Sequence, residues 1–145
     1  MQPFAVYLPR PLPNGYRLYQ DQPVEAQPGM RAHYEAQYLL RAPGGTENKG
    51  VFTLYEWQAD GTYHPPADCG SAAAFFSSFG QPQPCRLIGS MPDGSGIYYA
   101  NPVGASNQVA AYTRLGTTQV VLFSTLGLVP SPSEIVGILR SLAPR

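Results

Sequence analysis

The stretch Gln108-Val-Ala-Ala-Tyr-Thr-Arg-Leu-Gly-Thr-Thr-Gln-Val-Val-Leu-Phe-Ser124 reads as two runs rich in β-branched and aromatic residues, parted at Leu115-Gly116. That pattern predicts an antiparallel hairpin, with Gly116 supplying the positive φ of a tight turn. In the second run Val120 and Leu122 point one way and Val121 and Phe123 the other. A strand that is apolar on both faces belongs inside a sheet, so this is the candidate central strand.

Immediately after the hairpin, Gly127 and Pro130 break the chain, and Ser131-Pro132-Ser133-Glu134 restarts it as a helix. Ser131 suits the cap, Pro132 the first helical position, and Glu134 completes a capping box. Ile135, Ile138, Leu139 and Leu142 follow at helical spacing, and Pro144 ends the run. So short a helix is marginal alone in water, so its apolar stripe is expected to lie across one face of the sheet.

The 145 residues suit one domain, residues 1–145, with enough chain to bury a core. Nine basic and nine acidic residues cancel without forming a basic stripe, which argues against nucleic acid and against electrostatic attachment to a membrane. Charged residues make up only 12% of the chain while Gly, Pro and Tyr abound, a balance that favours strands and turns. No apolar run reaches the length of a membrane span, and no signal peptide opens the chain. Two placements remain: the cytoplasm, or the soluble part of a longer, membrane-anchored protein. Cys69 and Cys85 bracket a short segment, and an even pair in a Pro-rich chain reads as a disulfide of the second setting; two free buried thiols are the other reading.

Towards the N-terminus, Pro9, Pro11 and Pro13 hold the opening extended, in the manner of an edge segment, before a turn at Asn14-Gly15. Tyr16 to Tyr19 reads as a first strand and Gln20 to Gly29 as a loop. Residues 32–41 alternate Tyr34, Ala36, Tyr38 and Leu40 against His33, Glu35, Gln37 and Leu39, which predicts a half-buried strand with a solvated polar face. Val51 to Gln58 is its return strand. Ser71 to Phe79, between the cysteines, reads as a short helix, and Cys85 to Ile88 and Gly96 to Ala100 as short strands around a Pro92-Asp93-Gly94-Ser95-Gly96 turn.

Tyr7-Leu8-Pro9 and Leu12-Pro13-Asn14-Gly15-Tyr16 at one end, with Ser133-Glu134-Ile135 and Ser141-Leu142 at the other, resemble motifs of a family. It is a domain of unknown function found outside the membrane, behind the transmembrane helix of bacterial anti-sigma-factor-like proteins. The resemblance implies a PsbP-like or lipoprotein-carrier-like fold, a twisted antiparallel sheet packed against helices. The insert between Cys69 and Cys85 departs from the family's pattern. The combined expectation is an α+β fold: an antiparallel sheet of about six to seven strands, a C-terminal helix on one face and a short helix in a disulfide-bracketed insert.

For chemistry, His64 with Asp68 and Cys69 is too small a set for a metal centre or a Cys–His nucleophile, and a loop histidine beside a disulfide is the simpler reading. Glu35 and Glu56 lie on the two strands of the long hairpin; brought together they would form an acid and base pair of the glycosidase type, and otherwise they are two exposed carboxylates. No Gly-x-Ser-x-Gly elbow occurs. Tyr34, Tyr38, Tyr55, Trp57, Tyr98 and Tyr99 fall on predicted strands and either pack the core or line a ligand groove on the open face of the sheet.

These readings lead to a non-enzymatic extracytoplasmic domain, periplasmic or at the cell surface, that binds or senses a protein or small molecule for a membrane-anchored bacterial protein. No cofactor or metal is expected, and the membrane is reached only through a segment outside this chain. The alternatives are a carrier holding a lipid or other small apolar ligand between sheet and helices, and a small hydrolase.

Overall fold

The computed structural model of the chain describes residues 4–12, 15–28, 32–41, 48–59, 85–100, 109–127 and 130–145; of residues 41, 48, 49 and 125–127 it describes the backbone alone. Chain order is β1 (Tyr7–Pro9), β2 (Tyr16–Val24), β3 (His33–Arg41), β4 (Asn48–Gln58), β5 (Arg86–Ser90), β6 (Gly96–Ala100), β7 (Val109–Leu115), β8 (Thr118–Gly127), α1 (Pro132–Arg140) and β9 (Leu142–Pro144). The class is α+β.

Seven strands form one antiparallel sheet in the order β2-β3-β4-β8-β7-β6-β5. Two meanders, β2 to β4 and β5 to β8, join where β4 pairs with β8, Leu54 facing Leu122 and Tyr55 facing Val121. Strand β8 is thus the middle strand of seven, as its two apolar faces require. Its hairpin with β7 turns at Gly116, whose φ of 56° is open to glycine at little cost.

The inner face carries the larger core. Tyr38, Phe52, Leu54, Ala111, Val120 and Leu122 meet Ile135, Ile138 and Leu139 of α1 there, all at most 2% exposed. The helix begins as its sequence demands. Ser131 Oγ accepts from the Glu134 N–H at 3.2 Å, and a Glu134 carboxylate oxygen accepts from the Ser131 N–H at 3.1 Å. Gly89 on β5 admits the helix closely, since a Cβ at that position would meet Val136 at 3.0 Å, and Arg140 donates to the Ser90 carbonyl at 2.7 Å.

The rest of that face is closed by the two ends of the chain. Strands β1 and β9 pair antiparallel as a separate two-stranded sheet, Leu8 beside Ala143, with Leu8 and Leu142 packed on the inner core. Arg10 N–H donates to the Ser141 carbonyl and Arg145 N–H to the Val6 carbonyl, both at 2.9 Å.

Three local expectations need correction. The helix stops at Arg140, and Leu142 belongs to β9 rather than to the helical stripe; pairing with β1 gives those backbone groups better partners than a frayed last turn. The expected loop from Gln20 is strand as far as Val24, Pro23 included. As the edge of the sheet among the described residues, β2 has one side without a neighbouring strand there, so a residue lacking an N–H is tolerated. His33 is fully buried, not solvated. Cys69, His64, Asp68 and the expected helix Ser71 to Phe79 lie outside the described residues.

Leu122→Ala, removing a side chain packed against the inner layer, is expected to lower the unfolding free energy by roughly 2–5 kcal/mol, and Ser131→Ala, removing the cap, by about 1 kcal/mol. Urea denaturation of both variants checks the ranking.

Candidate functional site

Strand register lays the outer face out in transverse rows. One runs Gln22, Glu35, Tyr55, Val121, Tyr112 and Tyr98; its neighbour runs Gln20, Gln37, Thr53, Phe123 and Ala110. Both change character at the same point. From β2 to β4 the side chains are hydrogen-bonding and partly or fully exposed, whereas from β8 onward they are apolar, with Val121, Tyr112 and Ala110 at 0% exposure. The polar half forms a shallow open cleft of about 70 Å³ lined by Gln20, Gln22, Glu35, Gln37, Thr53 and Tyr55.

The floor of the cleft is held from one side. His33 Nε2 lies 2.8 Å from Glu35 Oε1, so the carboxylate is anchored by a fully buried ring that also sits 5.9 Å from the Tyr55 ring. Burial and the neighbouring Glu35 raise the Tyr55 phenol above its usual range, and a hydrogen bond with the Thr53 side chain works against them. Tyr55 therefore stays neutral and able to donate.

Of the six aromatic candidates, Tyr55, Trp57 and Tyr98 are on the outer face, while Tyr34, Tyr38 and Tyr99 project to the inner one. The register thus brings together half of that set and divides it from the other half. Tyr38 stacks on Phe52 with ring centroids 4.9 Å apart, and Trp57 is 4% exposed. Tyr34 is engaged with Asp21 and Arg145: its hydroxyl donates to Asp21, Arg145 donates to the hydroxyl, and the Arg145 guanidinium reaches the Asp21 carboxylate at 3.2 Å.

Glu35 and Glu56 cannot act together. Glu35 pairs across the ladder with Tyr55, the residue before Glu56, so the two carboxylates project from opposite faces of one sheet. Nor is Glu56 exposed. It lies at 0% exposure beneath β1, one oxygen accepting from the Tyr7 N–H at 2.8 Å and the other buried with no hydrogen-bond partner among the described residues. Burial pushes its pKa up to about 8, although the Tyr7 N–H opposes the shift. Sequence pattern missed this group because a charged residue on an alternating strand reads as solvated. The one available signal was parity: Glu56 shares its face with Phe52 and Leu54, which the strand must bury.

No family model matches this chain, no curated protein matches its sequence, and no solved structure matches its fold. Among the described residues no group of three His, Cys, Asp or Glu side chains is placed to hold a metal ion, and no helix is long and apolar enough to cross a membrane.

The raised Glu56 pKa fixes the sign of a stability change. The folded protein holds a proton that the unfolded chain releases at the ordinary carboxylate value, so Glu56's contribution is greatest below about pH 4.5 and declines up to about pH 8. At neutral pH the loss amounts to about 3 kcal/mol. Glu56→Gln, neutral throughout, is expected to flatten this part of the stability profile, measured by urea denaturation across the same pH range.

Proposed function

We propose that this chain is a non-enzymatic extracytoplasmic domain of a membrane-anchored bacterial protein, and that it binds its ligand on the outer face of β2 to β4. One observation carries the reading: the polar cleft of Gln20, Gln22, Gln37 and Thr53, closed on one side by Tyr55 and on the floor by a Glu35 already engaged with His33. Amides offer donors and acceptors together, which suits a ligand of many neutral hydroxyl groups. The Tyr55 ring supplies an apolar surface for the C–H face of a sugar ring. Among the described residues the one acidic group of the lining is engaged by His33 and no Lys or Arg lines the cleft, so the chemistry favours a neutral carbohydrate over an ionised ligand. The cleft is shallower than the pockets that engulf small molecules, so it would read the surface of a larger glycan chain.

The resemblance of Tyr7-Leu8-Pro9, Leu12 to Tyr16 and Ser133-Glu134-Ile135 to an extracytoplasmic, anti-sigma-factor-linked domain of PsbP-like fold supports this placement. The Cys69–Cys85 disulfide and the short helix between the cysteines belong to the same proposal. The carrier reading is less well supported, since Ile135, Ile138 and Leu139 fill the layer between helix and sheet with their own side chains.

Titration of ¹⁵N-labelled protein with neutral oligosaccharides is expected to give saturable shifts at Gln22, Gln37, Thr53 and Tyr55, leaving the α1 amides unmoved. Gln37→Ala should weaken the interaction by about fivefold to tenfold, the worth of one neutral hydrogen bond. Shifts confined to other surfaces, or an affinity indifferent to Gln37→Ala, would sink this assignment.

A further inference from the structure

We propose that Glu56 is the latch of a proton-controlled clasp: with its carboxyl neutral the paired ends β1 and β9 close over the inner face, and its ionisation releases them. The geometry is the basis. Glu56 projects from the interior of the seven-stranded sheet into the layer beneath the terminal strands, where one carboxyl oxygen accepts from the Tyr7 N–H of β1 at 2.8 Å. That bond spans 49 residues, so it is a tie between the chain's N-terminal end and the sheet's centre. The other carboxyl oxygen is buried with no hydrogen-bond partner among the described residues.

A neutral carboxyl tolerates such a site far better than a carboxylate, because an ion without compensating charge or bonds loses its hydration with little return. Among the described residues, the groups around it do not supply that charge. From β3, Tyr34 pairs with Glu56 across the ladder and Tyr38 shares its face; burial, Glu56 and Asp21 all hold the Tyr38 phenol neutral by raising its pKa. From β2, Asp21 is acidic. From β8, Val120 is apolar and Thr118 spends its hydroxyl on the Ala5 carbonyl at 2.6 Å. From the clasp itself come the Tyr7 backbone and Arg145, whose charge is directed to Asp21 and Tyr34. The cheapest route to hydrating an ionised Glu56 is therefore to lift β1, which is held by three residue pairs with β9 and a few flanking bonds, rather than to open the central ladder. A pKa raised to about 8 puts this step within reach of mildly alkaline conditions.

Hydrogen exchange of the full chain, corrected for intrinsic rates, tests the latch through the Arg10 and Arg145 amides, which report β1–β9 pairing. From about pH 6 to about pH 9.5 their protection is expected to fall about tenfold or more while the β4–β8 ladder keeps its own, and Glu56→Gln should hold the clasp protected at both values. The proposal is overturned if wild-type clasp protection does not change, if clasp and ladder lose protection together, or if Glu56→Gln retains the fall. Should that variant not fold, ¹³C titration of the Glu56 carboxyl in the wild type decides, and a midpoint below about pH 6 also overturns the latch.

Discussion

Strand β8 has apolar side chains on both faces, and that constraint organises the molecule. Such a strand is stable only with neighbours on both sides and burial above and below, which is why two meanders converge on it. The β4–β8 ladder unites segments far apart in sequence, so its closure entropy has to be recovered by packing. The recovery is visible on the inner face, where Leu54, Val120 and Leu122 lock with the α1 stripe. The buried polar groups at this centre follow the same logic: Ser124 donates to the Val51 carbonyl at 2.6 Å and Gln119 to the Thr113 carbonyl at 2.8 Å.

The inner face is wider than one nine-residue helix can cover. The chain completes the cover with β1 and β9, and the completion leaves the Glu56 carboxyl group under it. Glu56 interrupts the apolar series begun by Phe52 and Leu54, at a cost in stability that an apolar residue would avoid. A burial of this kind marks a position where something other than maximal stability has been kept.

The outer face divides by strand rather than by row. Its β8, β7 and β6 portion is apolar, with Val121, Tyr112 and Ala110 fully buried and Phe123 and Tyr98 partly so, whereas its β2, β3 and β4 portion keeps amides, hydroxyls and one anchored carboxylate accessible. The accessible polar groups of this face thus gather at one end of the sheet, where the ladder beneath fixes the spacing of Gln22, Glu35 and Tyr55.

Much of the fold was legible locally. The capping box at Ser131, the turn at Gly116 and the two-faced apolar strand each follow from residue chemistry within a few positions, so the hairpin, the helix start and the central place of β8 could be read directly. What the sequence could not say was which distant segments meet. Pairing of β9 with β1 ended the helix before Leu142, and the edge position of β2 let a strand run through Pro23. The ladder register alone set Glu35 and Glu56 on opposite faces, parted the six candidate aromatics and assembled Gln20, Gln22 and Gln37 into one cleft. Local pattern determines how a strand alternates; only its partners decide which alternate face is buried, because burial is a property of the assembled sheet and of what covers it.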